Sequence, residues 1–102
     1  MIKPSAPDSA TEITILDFWA DWCGICRLID PVVDRIVRGQ DRIALKKVNV
    51  AEAQDLVDLH KVSALPTLVF LSGDGRELNR LSGSMTGKQI EAAIGSAISK
   101  LS

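Results

Sequence analysis

A short strand pattern runs directly into the only two cysteines of the chain, and this junction constrains the fold more than any other feature. Ile13 to Trp19 is a β-branched and aromatic run with the length of a buried strand. After the cysteines, apolar residues recur at three- and four-residue spacing as far as Gly39, as in an amphipathic helix. The sequence therefore predicts a strand that turns near Cys23 into a helix.

The pattern beyond this helix predicts five further elements. They are a strand over residues 43–50, a short helix from about 52 to 61, a hairpin of two strands around residues 72–75, and a closing helix capped by Thr86 and Gln89. The closing helix has one apolar face, made of Ile90, Ile94, Ala97, Ile98 and Leu101. The order β-α-β-α-β-β-α requires parallel strands with helical crossovers, then an antiparallel hairpin. We expect an α/β fold with a mixed sheet flanked by helices.

Residues 1–12 are expected to form a flexible tail and residues 13–102 one domain. The first eleven residues hold two prolines and two serines and lack periodicity. The 102 residues, 46% of them hydrophobic, suffice for one core. No apolar stretch approaches the roughly 18 residues that cross a bilayer, and the N-terminus lacks a secretory signal pattern. We expect a cytoplasmic protein.

The charges of the chain nearly cancel, with 12 lysines and arginines against 13 aspartates and glutamates. No net field therefore attracts the chain to nucleic acid or to a membrane surface. We expect a monomer whose partners are recognised by shape and local chemistry.

The spacing of Cys23 and Cys26 predicts a redox-active dithiol. Two cysteines at i and i+3 at a helix start lie on one face, close enough to form a disulfide. Cys23 meets the free N–H groups and the positive dipole of the helix N-terminus, which favour a thiolate and make it the expected nucleophile. Cys26, one turn deeper, is the expected resolving cysteine.

Two other interpretations of the pair stay open at this point. Half of a structural zinc site is disfavoured, because zinc takes four ligands and His60 is the only further strong candidate. Two inert, buried cysteines are also disfavoured, because Asp21, Trp22 and Gly24 are unusual neighbours in a sealed core.

The run Leu-Asp-Phe-Trp-Ala-Asp-Trp-Cys-Gly-Ile-Cys, residues 16–26, resembles the active-site segment of thioredoxin. Pro31 resembles the proline of the family's active-site helix, Lys47 its buried lysine, Leu65-Pro66-Thr67 its cis-proline loop and Gly83 its groove glycine. These matches cover about residues 13–101 in order. The resemblance implies a thioredoxin-like protein-disulfide oxidoreductase without a bound cofactor or metal. It would use NADPH indirectly, through a flavoprotein thioredoxin reductase.

The resemblance also implies roles for particular residues. Asp17 is an acid within an apolar strand, where burial raises the pKa of a carboxyl group. The matching acid of the family takes the proton of the resolving cysteine, with Lys47 as its charged neighbour. A simple ion pair between Asp17 and Lys47 is the alternative. The implied substrate-docking surface consists of Trp22, Gly24, Ile25, Ala64, Leu65, Pro66, Gly83 and Ser84.

Two departures from the family pattern bear on function. Thioredoxins usually carry proline where this chain has Ile25, and they have a leading strand and helix for which little sequence is present here. We expect the leading helix to be absent. Two alternative functions therefore stay open: a dedicated disulfide donor or isomerase for one partner, and a non-catalytic binding module on a thioredoxin scaffold.

We predict that replacing Ile25 by proline makes the dithiol more reducing. Isoleucine leaves the turn freer than proline and restores a backbone N–H that favours the Cys23 thiolate. Equilibration of wild type and Ile25→Pro with a glutathione buffer measures both potentials. A wild type as reducing as the variant, or more so, would refute the prediction.

Overall fold

The computed structural model describes residues 11–101. The elements are β1 (Ile13–Trp19), α1 (Gly24–Arg38), β2 (Ile43–Asn49), α2 (Gln54–Leu59), β3 (Thr67–Ser72), β4 (Glu77–Ser82) and α3 (Gly87–Ser99). Their order confirms the predicted β-α-β-α-β-β-α pattern. The predictions of a flexible tail and of a missing leading helix fall mainly on residues 1–10, outside the described residues.

The four strands form one mixed sheet in the order β2-β1-β3-β4. β1 is parallel to β2 and antiparallel to β3, and β3 pairs with β4 as an antiparallel hairpin. Asp17, near the end of β1, has Lys47 of β2 on one side and Leu68 of β3 on the other. The predicted mixed sheet is therefore confirmed, with the acid on a central strand.

Alternation along the strands divides the core between the two faces of the sheet. One face packs Ile13, Ile15, Ile29, Val33, Val37, Leu68, Phe70, Leu78, Ile90, Ala93, Ile94 and Ala97, most of them from β1, β3, α1 and α3. The other buries Leu16, Phe18, Val48 and Val69, with Leu56 and Val57 of α2 packed against them. Because side chains two residues apart share a face, Asp17 follows Ile15 onto the α1 side.

Helix α3 begins with the predicted capping box. Thr86 Oγ1 accepts the N–H of Gln89 at 3.1 Å, and Gln89 Oε1 accepts the N–H of Thr86 at 2.8 Å. These two bonds satisfy donors that have no partner inside the helix. The cap therefore fixes where the last helix starts.

The predicted apolar face of α3 is wrong at one residue, Ile98. Ile90, Ile94 and Ala97 are buried, and Ala93 joins them, whereas Ile98 is 46% exposed. At 3.6 residues per turn, Ile98 lies about 90° from the centre of that buried face. The three- and four-residue spacing in the sequence therefore assigned Ile98 to a face that it does not share with the buried residues.

None of the helices within residues 11–101 is both long and apolar enough to cross a membrane.

Candidate active site

Cys23 occupies the N-cap of α1, just beyond the end of β1. Its backbone is extended, and its N–H donates to the carbonyl of Ala20 at 3.1 Å. Cys23 and Cys26 form a disulfide with their Cα atoms 5.3 Å apart. The predicted pairing of the two cysteines at a helix start is therefore confirmed.

The two sulfur-bearing residues differ in their access to solvent. Cys23 is half-buried at the helix end, whereas Cys26 is only 5% exposed. Cys23 Sγ accepts the backbone N–H of Cys26 at 3.2 Å. A sulfur at a helix N-terminus with an N–H donor is stabilised as a thiolate. The geometry thus gives the pair an accessible outer sulfur and a shielded inner one.

The sequence suggested the backbone N–H of Ile25 as a hydrogen-bond donor to Cys23 Sγ, but the structure shows a different donor. The bond shown comes from the N–H of Cys26, while Ile25 itself is 45% exposed beside the dithiol. Ile25 therefore contributes an apolar surface next to the outer sulfur.

Asp17 lies beneath the active-site helix, at the wall of a cavity that reaches the inner cysteine. The residue is 3% exposed. The cavity has a volume of about 300 Å³ and is lined by Asp17, Trp19, Cys26, Arg27, Asp30 and Lys47. The structure therefore brings the acid and the inner cysteine, Cys26, to one shared cavity.

Burial raises the pKa of Asp17 from 3.8 to about 6. Loss of hydration is the largest cause, because it disfavours the charged carboxylate. The negative charges of Asp30 and, less strongly, Asp34 raise the pKa further, and the Lys47 ammonium opposes them. A group with this pKa is mostly ionised at neutral pH yet remains an effective proton acceptor.

The prediction that Lys47 is buried is wrong. Its side chain is 38% exposed, and Nζ lies 2.8 Å from Asp30 Oδ1 and 3.0 Å from Asp34 Oδ1. The hydrogen bond to Asp30 is the first cause of a raised Lys47 pKa. Among residues 11–101, Lys47 forms no ion pair with Asp17, so the simple pair that the sequence left open is also wrong. In the described part of the chain β2 lies at the edge of the sheet, where the Lys47 side chain extends to the acids of α1.

Sequence reasoning missed Asp30 and Asp34, although a signal for them was present. Both acids follow Cys26 at four-residue steps, which places them on the same side of α1. Arg27 also lines the cavity, and its guanidinium donates to the carbonyl of Asp21 at 3.0 Å.

The loop before β3 lies across a groove from the active-site turn. The Leu65–Pro66 peptide bond is cis, as the resemblance implied. Thr67 Oγ1 donates to the carbonyl of Ala64 at 2.6 Å, and the N–H of Gly83 donates to that of Pro66 at 2.8 Å. The groove, of about 380 Å³, is lined by Trp22, Val50, Gln54, Val57, Val62, Ser63, Ala64 and Leu65.

The structure groups part of the predicted docking surface in this groove. Trp22, Ala64 and Leu65 line it, and Trp22 is 72% exposed. Pro66 is buried, whereas Gly24 and Ser84 are exposed. Gly83 has a φ of 80°, a conformation that favours glycine.

His60, the further candidate zinc ligand, ends α2 and packs its ring edge-on against Phe18, with the centroids 6.1 Å apart. Within the described part of the chain, no group of three or more His, Cys, Asp or Glu residues is arranged to hold a metal ion.

Several thioredoxins are among the known proteins that this chain resembles. A family model described as thioredoxin matches residues 6–96. Thioredoxin-2 of Saccharomyces cerevisiae is 35% identical over 80 residues, which are 78% of this chain and 76% of the yeast protein. The thioredoxin of Alicyclobacillus acidocaldarius is 33% identical over 81 residues, with the same two shares. A mutant thioredoxin of Halobacterium salinarum superposes with a TM-score of 0.78 at 30% identity, over 93% of this chain and 85% of that one.

We predict that Asp17→Asn stabilises the protein more at pH 8 than at pH 4. The folded-state pKa of Asp17, about 6, lies above its ordinary value of 3.8. Its contribution to stability is therefore complete below the ordinary value and lost as the pH rises through about 6, a change of about 3 kcal/mol. Urea unfolding of both proteins at each pH gives the difference in free energy of unfolding. A difference that stays constant with pH would contradict the prediction.

Proposed function

Because this chain belongs to the thioredoxin family and is a protein-disulfide oxidoreductase, we propose that it reduces its substrates through an attacking Cys23 and a resolving Cys26. One observation carries this assignment: the outer sulfur caps α1 and accepts a backbone N–H, while Cys26 is almost fully buried. The outer thiolate is thus both stabilised and accessible. The inner thiol is shielded from free substrates, and the sulfur that it reaches is Cys23 Sγ.

The first step forms a mixed disulfide. The Cys23 thiolate attacks one sulfur of a substrate disulfide, a new S–S bond forms, and the substrate's own S–S bond breaks. The second substrate sulfur leaves as a thiolate and takes a proton from solvent.

The second step closes the disulfide of the enzyme. Asp17 takes the proton of the Cys26 thiol, and the resulting thiolate attacks Cys23 Sγ. The remaining substrate sulfur leaves as a thiolate and is protonated. Two electrons have then passed from the dithiol to the substrate. The cavity shared by Asp17 and Cys26, together with the raised pKa of Asp17, supports this role.

The docking surface takes an extended, partly apolar substrate segment. Trp22 and Ile25 are large exposed apolar side chains beside the dithiol. The backbone of Ala64 and Leu65 supplies polar groups for strand-like pairing with the segment. Gly24, Pro66, Gly83 and Ser84 complete the surface around the outer sulfur.

Electrons return to the oxidised enzyme from NADPH through a flavoprotein thioredoxin reductase. The disulfide is the redox group of the protein itself, so the proposal requires no bound cofactor. We further propose that the enzyme works as a monomer in the cytoplasm.

We predict that Cys26→Ser accumulates mixed disulfides on Cys23. Without the resolving thiol, the first step proceeds and the second cannot. Capture of the tagged variant from cells, followed by release with a reductant, identifies the trapped proteins. The matched control is Cys23→Ser, which should trap no comparable set.

The trapped set distinguishes the candidate functions. Many substrates support a general reductase. One dominant substrate supports a dedicated donor or isomerase. Partners that the Cys23→Ser/Cys26→Ser double variant also retains would indicate a binding module, and would overturn the proposed activity for those partners.

We predict that the purified protein couples NADPH oxidation to disulfide reduction when the thioredoxin reductase of its own organism is supplied. The reductase must reduce the Cys23–Cys26 disulfide for turnover to continue. Loss of NADPH absorbance with insulin as substrate measures the rate, and the double cysteine variant is the control. A rate equal to that of the control would contradict the reductase assignment.

A further inference from the structure

Two acids of α1 hold the Lys47 ammonium, which belongs to a residue that lines the Asp17 cavity. Asp30 Oδ1 lies 2.8 Å from Lys47 Nζ, and Asp34 Oδ1 lies 3.0 Å from it. The chemistry of the dithiol does not itself use these contacts. These contacts nevertheless fix the position of the Lys47 ammonium, a positive charge near the buried carboxylate of Asp17.

The strand register places Asp17 and Lys47 where they would pair. The two residues are directly opposite each other on parallel strands, so their side chains leave the same face of the sheet. A buried carboxylate gains more from an opposite charge than an exposed one does, because the local dielectric is lower. Lys47 nevertheless bonds to α1, and within residues 11–101 it makes no ion pair with Asp17.

A direct ion pair would impair Asp17 as a proton acceptor. An ammonium bonded to the carboxylate stabilises the charged form, and lowers both the pKa and the basicity of the group. Keeping Lys47 bonded to the acids of α1 therefore preserves the strength of Asp17 as a base.

The two acids are not equivalent. Asp30 lies one helical turn beyond Cys26 and lines the cavity with Asp17, whereas Asp34 lies a further turn away and does not line it. Asp30 makes the shortest contact with Lys47 Nζ, at 2.8 Å, while the two oxygens of Asp34 lie 3.0 and 3.1 Å from it. Asp30 is thus placed to hold the ammonium at the edge of the cavity, with Asp34 as a second contact behind it.

Within residues 11–101, the charges that face Asp17 come from two elements. Helix α1 contributes Arg27, Asp30 and Asp34, and β2 contributes Lys47. The Arg27 guanidinium donates to the turn before α1. On the other side, β3 places the uncharged Leu68 next to the acid. Lys47 is therefore the cation whose position changes most readily if Asp30 is removed.

We propose that Asp30 is a positioning residue for the resolving step: it holds the Lys47 ammonium against α1, so that Asp17 stays unpaired and able to take the proton of Cys26. This inference rests on the proposed role of Asp17. It adds a residue that touches neither the substrate nor the reacting sulfurs.

The test compares wild type with Asp30→Asn, Lys47→Met and the double variant, each in the full chain. Asp34→Asn is the matched control, since it removes the other negative charge that contacts the same ammonium. In the oxidised form, where neither cysteine titrates, the carboxyl signal of Asp17 is followed by NMR against pH. In the reduced form, rapid mixing measures the resolution of a peptide mixed disulfide over the same pH range. Thermal unfolding verifies the fold, and Lys47→Gln replaces a variant of Lys47 that does not fold.

We expect Asp30→Asn to lower the titration midpoint of Asp17 by about one pH unit, because a negative neighbour is lost and Lys47 turns to the carboxylate. The acid limb of the resolution rate should move with it, and the rate above the limb should fall several-fold. In the Lys47→Met background, Asp30→Asn should shift the Asp17 midpoint by less than half as much as it does when Lys47 is present. Asp34→Asn should also have less than half the effect of Asp30→Asn.

Three results would overturn the inference. One is an Asp17 midpoint that Asp30→Asn does not change. Another is a shift by Asp30→Asn that is equal with lysine and with methionine at position 47. That result would mean that Asp30 acts on Asp17 only through its own charge and not by holding Lys47. The third is a shift by Asp34→Asn as large as that by Asp30→Asn, which would remove the special position of Asp30.

A further variant, Asp17→Asn, separates this inference from the proposed function. If it leaves the resolving step as fast as in wild type, Asp17 is not the proton acceptor, and the assignment of both residues fails. If it slows the step while Asp30→Asn changes neither the rate nor its pH profile, Asp30 alone is wrongly assigned. Slowing by both, with recovery in Asp30→Asn/Lys47→Met, supports the whole arrangement.

Discussion

Helix α1 packs against one face of the sheet through Ile29, Val33 and Val37, and the positions of the redox groups follow from that contact. The packed face sets the rotation of the helix, so Cys26 turns toward the sheet and Cys23 caps the open end. The same rotation directs Asp30 and Asp34 toward β2, where both contact Lys47. Apolar packing thus orients a helix whose first turn carries the chemistry.

The acid beneath that helix is a local exception to the rules of a buried core. Asp17 continues the strand face of Ile13 and Ile15, where an apolar side chain would suit the packing. The structure gives it a cavity in place of a direct counter-ion. Violations of this kind are expected where a fold retains a group for function, since the surrounding core supplies the stability that the group removes.

Much of the fold was predictable because its signals are local. The strand periods, the Ser72–Gly75 turn and the Thr86 cap depend on residues close in sequence, and all of them correspond to elements of the structure. The three-residue spacing of the two cysteines was likewise enough to predict that they pair at the start of a helix. The resemblance to a known family then supplied the docking loop around Pro66, which no local pattern distinguishes from an ordinary strand start.

The errors had two causes, and the first is that the partners of a side chain can lie far from it in sequence. Nothing near Lys47 in sequence indicates that its ammonium bonds to acids on α1, because that choice depends on how the helix is rotated over the sheet. The second cause concerns Ile98. Each four-residue step along a helix rotates the side chain by about 40°, so Ile98 lies outside a buried face that is narrower than the sequence pattern suggested.

The two cysteines are only three residues apart, within a turn that is already ordered as the start of a helix. A cross-link that closes so small a ring removes little conformational entropy from the unfolded chain, compared with one that ties distant segments together. The disulfide therefore restrains the unfolded chain less than a long-range cross-link would. The redox potential of the pair then depends on how the groups at the helix end stabilise the Cys23 thiolate, and not on a tie between distant parts of the fold.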